Sequence, residues 1–275
     1  MDRRDFVAAA LTGGGAYMLA AASVSGSQGT SGSSPAEARL AEYYELRHYN
    51  LRRGPGQALV DAYLRDAAVP AWRRAGAGPV GIFSVMIGQD SPGFYVLLVH
   101  KSLDAFASLG SRLSADAEYQ KAAAPYLGVE AASPAFVRID SSLMRSFEGM
   151  AKLEVPFEGT AAPKRSRIFE LRTYESHSER AARKKIEMFN NGEIAIFRRA
   201  GLTPVFFGET LIGSEMPNLT YLLVYEDMAA HDRQWSAFSA DPEWKKLSTT
   251  PGFTDPEIVS NISNIYLRPT AYSEI

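Results

Sequence analysis

Two short segments carry the same three polar residues at alternate positions: Glu45, Arg47 and Tyr49 in Glu-Leu-Arg-His-Tyr, and Glu170, Arg172 and Tyr174 in Glu-Leu-Arg-Thr-Tyr. Residues two apart in a strand share a face, so each trio can form a charge-assisted carboxylate–guanidinium pair flanked by a phenol. Such a cluster can orient a small polar or carboxylated ligand, and these six residues are the candidate ligand-binding set. They also suit a structural role, in which the ion pair fixes register and the tyrosine fills space. The chain has four histidines, His48, His100, His177 and His231, and these are the groups that could serve as a general base or haem ligand near neutral pH. His100 ends an apolar stretch and is the candidate base, with Tyr225 supplying a phenol 125 residues later. A histidine in that place can equally do no more than end a strand. No set of His, Asp and Glu has metal-binding spacing, and no glycine-rich phosphate loop lies ahead of a helix, so neither a metal nor another cofactor is expected.

The spacing of 125 extends well beyond these trios. Residues 45–121 align with 170–246 without a gap, and 23 of the 77 aligned pairs are identical. Chance at average composition would give roughly five, so the two stretches are one module copied twice. The period exceeds that of solenoid repeats and leaves each copy long enough to own a core. What is repeated is informative, and so is what is not. At this offset the histidines meet Thr173, Tyr225, Arg52 and Phe106, so no symmetric histidine site exists.

Each copy opens with a strand at Tyr44–Tyr49 or Phe169–Tyr174. Alternation places Glu45, Arg47 and Tyr49 on one face and Leu46 with His48 on the other. A helix should follow. In the second copy Ser176 and Glu179 have capping-box spacing, and Ile186, Phe189, Ile194 and Phe197 supply an apolar stripe. In the first, Leu64, Val69 and Trp72 take three equivalent places, and Pro70 should bend or shorten the helix. Both helices end in Arg-Arg-Ala-Gly, at Arg73–Gly76 and Arg198–Gly201, where the cations suit the negative helix end and glycine suits a left-handed cap. Strands are then expected at Ile82–Ile87 and Phe206–Ile212, and at Phe94–His100 and Leu219–Tyr225. The latter pair are apolar throughout and should be covered on both faces. Helices over Leu103–Leu113 and Met228–Phe238, short helices opening at Asp116 and Asp241, and final strands near Phe136–Met144 and Ile258–Leu267 complete the pattern. Trp72, Tyr119, Trp235 and Trp244 read as core or interface anchors.

This order is that of the split βαβ unit, so the expected fold is α+β: two tandem ferredoxin-like (βαββαβ) domains. A four-stranded sheet of that kind leaves one face bare, and packing the two sheets together as a pseudo-dimeric α/β barrel buries both. The polar trios are then expected to face the space between the sheets. The domain boundaries are 41–147 and 166–275, joined by a linker over 148–165.

With 29 Lys and Arg against 31 Asp and Glu, the net charge of −2 offers no field to gather nucleic acid. The N-terminal Arg3-Arg4-Asp5-Phe6 and the Ala- and Gly-rich stretch after it are similar to a twin-arginine export signal over 1–22, followed by a Ser/Gly tether over 23–40. The apolar stretch is too short to span a bilayer. A periplasmic or extracellular location is therefore expected. Cysteine is absent, so each domain must rely on its apolar core without disulfides, as suits a protein exported already folded.

Glu-Leu-Arg-x-Tyr, Arg-Arg-Ala-Gly, the Ile-Gly strand ends and above all Ser239-Ala240-Asp241-Pro242-Glu243-Trp244 resemble the NIPSNAP family, within the wider dimeric α/β-barrel group. The first copy departs from the last motif with Asp116-Ala117-Glu118-Tyr119. The resemblance implies the barrel fold and no particular catalytic residues. Two functions stay open: a noncatalytic exported module binding a small molecule or a protein partner, and a cofactor-independent monooxygenase or isomerase acting on a small aromatic or lactone, as in related barrel families. Whether two chains pair further is also open.

Overall fold

The computed structural model describes residues 41–156 and 167–275. The export signal, the tether and half of the linker expected from sequence lie outside them. The chain runs β1 (Tyr43–Asn50), α1 (Pro55–Tyr63), α2 (Val69–Arg74), β2 (Val80–Ile87), β3 (Gly93–His100), α3 (Leu103–Ala115), α4 (Ala117–Leu127) and β4 (Arg138–Ser146). It repeats as β5 (Ile168–Glu175), α5 (Glu179–Met188), α6 (Ile194–Arg199), β6 (Thr203–Ile212), β7 (Asn218–Tyr225), α7 (Met228–Ala240), α8 (Pro242–Ser248), α9 (Asp255–Ile258) and β8 (Asn261–Pro269).

All eight strands form one closed antiparallel barrel in the order β1-β3-β2-β8-β5-β7-β6-β4. The two halves meet at edges: β2 pairs with β8 and β4 with β6, each with one register shift. Closure removes every open edge, a standing hazard of sheets. The strands β3 and β7 are buried along their whole length, as their largely apolar sequences require, because one face lines the barrel and the other lies under helices.

The barrel interior is filled by inward residues of both halves, among them Tyr44, Phe83, Phe169, Phe206 and Leu222. Ring pairs cross between the halves, Tyr44 on Phe206 at 4.9 Å and Phe83 on Phe169 at 4.8 Å. Two further cores lie between barrel and helices, one in each half. The first gathers Tyr49, Val60, Trp72 and Leu98, and the second Tyr174, Phe189, Phe197 and Tyr221.

Local expectations meet three corrections. The cap of α5 is Ser178, which accepts from the Ala181 amide, whereas Ser176 donates to the Ile258 carbonyl at 2.6 Å. The first helical stretch of each half is interrupted by a π-helical turn, Leu64–Ala68 and Phe189–Glu193, at equivalent places. Pro70 is not its cause, since the second half has Ala195 there. The final strand of the second half also starts later than expected, at Asn261, because the one-turn helix α9 takes up Asp255–Ile258. The helix ends behave as read: Gly76 and Gly201 take φ of 80° and 87°. Asp116 and Asp241 cap the short helices and are gripped by Arg74 and Arg199, at 2.8 and 2.9 Å.

Candidate functional site

Alternation along β1 and β5 groups each trio on one face as expected, but that face is not the one turned to the space between the halves. Tyr49 and Tyr174 belong to the cores under the helices, while Tyr44 and Leu171 fill the barrel interior. The two clusters therefore lie in separate halves, each beneath its own helices, and the six residues do not form a single site between the copies. The physical reason is hydrogen-bonding supply. A small closed barrel is packed with apolar side chains, so a carboxylate inside it would be desolvated without donors; under the helices, donors come from strand ends and helix faces.

Both halves share a frame. Arg47 donates to Glu45 at 2.6 and 3.1 Å, and Arg172 to Glu170 at 2.7 Å. The residue at the end of the next strand reaches the same carboxylate: His100 Nε2 lies 3.4 Å from Glu45, and the Tyr225 hydroxyl donates to Glu170 at 2.8 Å. A residue opposite the arginine on the last strand adds a third donor, Ser141 at 3.3 Å and Asn264 at 3.1 Å. An indole lies against each guanidinium, Trp72 from α2 at 5.4 Å and Trp235 from α7 at 4.7 Å. The structure thus places His100 and Tyr225 in equivalent roles in different halves and does not bring them together.

The second cluster is the more elaborate. The indole N–H of Trp235 donates both to Glu170, at 3.2 Å, and to the Tyr225 oxygen, at 2.9 Å. Trp235 is therefore part of the polar cluster as well as a packing anchor. The fully buried Glu170 consequently accepts from four donors. Burial alone would raise its pKa; the charge and hydrogen bond of Arg172, then Tyr225 and Asn264, outweigh that and hold the carboxyl below its ordinary value. In the first half burial likewise opposes ionisation, yet His100 and Arg47 bring Glu45 down to about 2. Burial, with Glu170 beside it, raises the Tyr225 phenol far above its usual range.

Beside Glu170 runs a second chain of polar groups. His231 Nε2 lies 3.1 Å from the Tyr266 hydroxyl and 3.6 Å from Glu170, while Nδ1 faces Asp232 at 2.8 Å. Deeper in the same core, Lys185 and Glu193 form an ion pair at 3.1 Å, with side chains only 1 and 2 % exposed. The rings of Tyr174, Phe189 and Trp244 surround the ammonium at 5.0 to 5.6 Å. Burial raises Glu193 above the usual carboxylate range despite Lys185. None of these groups is repeated: the first half has Phe106, Gly110, Val60 and Ala68 where the second has His231, Trp235, Lys185 and Glu193. Exchange of apolar for polar residues between aligned copies is the sequence signal that would have marked them. Among the described residues, no group of three or more His, Asp or Glu is arranged to hold a metal ion. No described helix is long and apolar enough to cross a membrane.

The NIPSNAP family model matches residues 44–142 and 169–274, one segment in each half. Among solved structures, an uncharacterised NIPSNAP-like domain protein from Burkholderia xenovorans is 24% identical, covering 40% of this chain and 91% of its own, with a TM-score of 0.37. A candidate monooxygenase from Lactobacillus acidophilus is 8% identical, covering 83% of this chain and 94% of its own, with a TM-score of 0.55. Another from Fusobacterium nucleatum is 9% identical, with coverages of 83% and 92% and a TM-score of 0.54. No curated protein matches the sequence.

Proposed function

The chain belongs to the NIPSNAP family, and from that premise we propose that it is a noncatalytic module binding a small molecule through the polar frames beneath its helices. The observation that carries this reading is the state of the two repeated carboxylates. A general base needs a free lone pair and a pKa near the working pH. Glu170 already accepts four internal hydrogen bonds, and both carboxylates are held below their usual range. They are built to hold Arg47 and Arg172 in place, and Ser141 and Asn264, both exposed, leave one side of each frame near solvent. A binding role directed at a protein partner would put such groups on the surface instead of under helices. We read each half as a ferredoxin-like unit, supported by the order β4-β1-β3-β2 in one and β8-β5-β7-β6 in the other. Export through a twin-arginine signal at 1–22 belongs to the same reading.

Native mass spectrometry of the protein purified from its own cells is the test. A retained small molecule supports the reading, and a bare chain under gentle conditions, with no ligand from a metabolite screen, removes it.

A second reading is favoured by Asp232, His231 and Tyr266, whose linked side chains could pass a proton to a bound substrate. It is the cofactor-independent monooxygenase or isomerase alternative, acting on a small aromatic or lactone, and it agrees with the fold shared with candidate monooxygenases. Turnover lost in His231→Ala and Tyr266→Phe would establish it; turnover untouched by both would remove it.

A further inference from the structure

The barrel is filled unevenly along its length. The ring pairs that cross between the halves, Tyr44 with Phe206 and Phe83 with Phe169, lie toward one end. At the other end the loops 88–92 and 213–217, which join β2 to β3 and β6 to β7, come together with the starts of β4 and β8. One step in from that end, the inward residues of the first half are Asp140, His48 and Tyr95, in register across β4, β1 and β3. Those of the second half are Ser263, Thr173 and Thr220, across β8, β5 and β7. Each set is tied within its own half: His48 stacks on Tyr95 at 4.4 Å, Tyr95 donates to Asp90 at 2.9 Å, and the Thr173 and Thr220 hydroxyls meet at 3.0 Å.

Below them, Leu46, Val85 and Ile265 pack on the interior core yet are only half-buried, whereas Leu97, Leu171 and Leu222 beside them are at most 5 % exposed. Val85 and Ile265 stand together where the halves meet, both within 3.7 Å of a Cβ added at Gly88. Side chains turned into a closed barrel meet water through an open end, so the interior is accessible here down to an apolar floor. An eight-stranded barrel is just wide enough to be filled by side chains or to hold one small ligand, and short Ser and Thr side chains on three strands leave room for the ligand.

The rim above this floor is acidic. Asp90, Asp140 and Glu215, from three separate segments, act on the Tyr95 hydroxyl and, after burial, push its pKa up. Arg138 offsets Asp140, to which it donates at 3.1 Å. His48 offsets none of them, because burial outweighs Asp90 and Asp140 and holds the ring below its ordinary value, neutral near pH 7. Among the described residues, His48 Nε2 also lacks a hydrogen-bond partner, although the residue is nine-tenths buried. That atom is turned to the open end: a Cβ added at Gly93, one step nearer that end on β3, would meet it at 2.8 Å. Carboxylates over an apolar floor favour a cation with an apolar body and disfavour an anion.

We infer that the open barrel end between the halves is a ligand site for a small ammonium compound with a compact apolar body, the body on Leu46, Val85 and Ile265 and the cation at Asp90, Asp140 and Glu215. This site is separate from the frames beneath the helices and goes beyond the reading above. It belongs to both copies at once and is asymmetric, with stacked rings on one wall and small hydroxyls on the other.

The test titrates the full chain, 13C-labelled at the isoleucine δ1 methyl groups, with cyclohexylamine; Ile265→Val and Ile275→Val assign two of the signals. The amine should shift the Ile265 signal saturably and leave that of Ile275, which lies by Gly81, in place. Cyclohexanecarboxylate, the same body with the opposite charge, should bind about tenfold more weakly or worse. Asp140→Asn should weaken the amine about two- to fivefold, as for an exposed ion pair. Ser263→Trp, which fills the open end from an exposed position, should abolish the response; if that variant fails to fold, Ser263→Leu serves as a smaller plug. An Ile265 signal that the amine does not move, a carboxylate bound as tightly as the amine, no change in Asp140→Asn, or full binding to the plugged variants would each overturn the inference. A saturable response at the Trp235 indole N–H with Ile265 unmoved would place the amine beneath the helices, overturning this site and leaving the reading above standing.

Discussion

Glu193→Ala should be among the most damaging single substitutions in the protein. Lys185 and Glu193 lie 3.1 Å apart with almost no solvent contact. At an effective dielectric of about 20 their attraction is about 5 kcal/mol, against a desolvation cost of several kcal/mol for each ion. Removing one partner leaves the other charge buried, which typically costs about 3–5 kcal/mol. The lower end applies here, because Asp255 lies 3.8 Å from Lys185 and three rings face the ammonium. For a chain of this size each kcal/mol moves the melting point by about 2–4 °C, so Tm should fall by about 6–12 °C. The first half has Val60 and Ala68 at these positions, both essentially fully buried, so the scaffold does not need the pair. Lys185→Met with Glu193→Leu should accordingly cost less than Glu193→Ala alone, a difference that urea denaturation followed by tryptophan fluorescence resolves. Single and double variants whose costs simply add, or a Glu193→Ala variant losing under about 1 kcal/mol, would refute the reasoning.

Further expectations concern other parts of the molecule. Because the folded-state pKa of Glu45 is depressed from 4.5 to about 2, its contribution, at most about 3 kcal/mol, is present above the unfolded value and lost as pH falls from about 5 to about 2. Denaturation curves of Glu45→Gln should be flatter than wild type over that window, and equal slopes would contradict the assignment. Trp235→Ala should destabilise by about 2–4 kcal/mol, somewhat below the range for a fully buried tryptophan because this one is half-buried; a neutral variant would mean that Trp235 carries no load. If a turnover is found, His100→Ala and Tyr225→Phe should change it only through stability, since they support carboxylates in separate halves; losses in kcat at unchanged Tm would place one of them at the chemistry. Replacing Arg3 and Arg4 by lysine should hold the chain in the cytoplasm in cell fractionation, and a wild-type chain found wholly there would contradict export.

Much of the architecture could be read from the residues because each step has a local cause. Alternation at Glu45–Tyr49, largely apolar runs at Phe94–His100 and Leu219–Tyr225, and glycine after Arg-Arg-Ala all act within a few residues of themselves. The face carrying the polar trios was not legible. Period two separates two faces without saying which meets helices, and Leu46 with His48 offered no clear apolar contrast. Nor were the π-helical turns, which lack a shared glycine or proline at Leu64–Ala68 and Phe189–Glu193. At the site, the repeated residues formed the scaffold, and the distinguishing groups lay among those that failed to repeat. His231 opposite Phe106, Trp235 opposite Gly110 and Glu193 opposite Ala68 each change polarity or bulk at a place where the fold is otherwise duplicated. Asn264 and Tyr266 carry no local signal, because they join the site only through the pairing of β5 with β8, more than 90 residues apart in sequence.

On this reading duplication produced two equivalent scaffolds whose polar frames, unequal in detail, serve to bind a small molecule. Native mass spectrometry of the protein from its own cells tests that most directly. A retained small molecule is the expected result; a bare chain under conditions that preserve the fold, with no ligand from a metabolite screen, would contradict it.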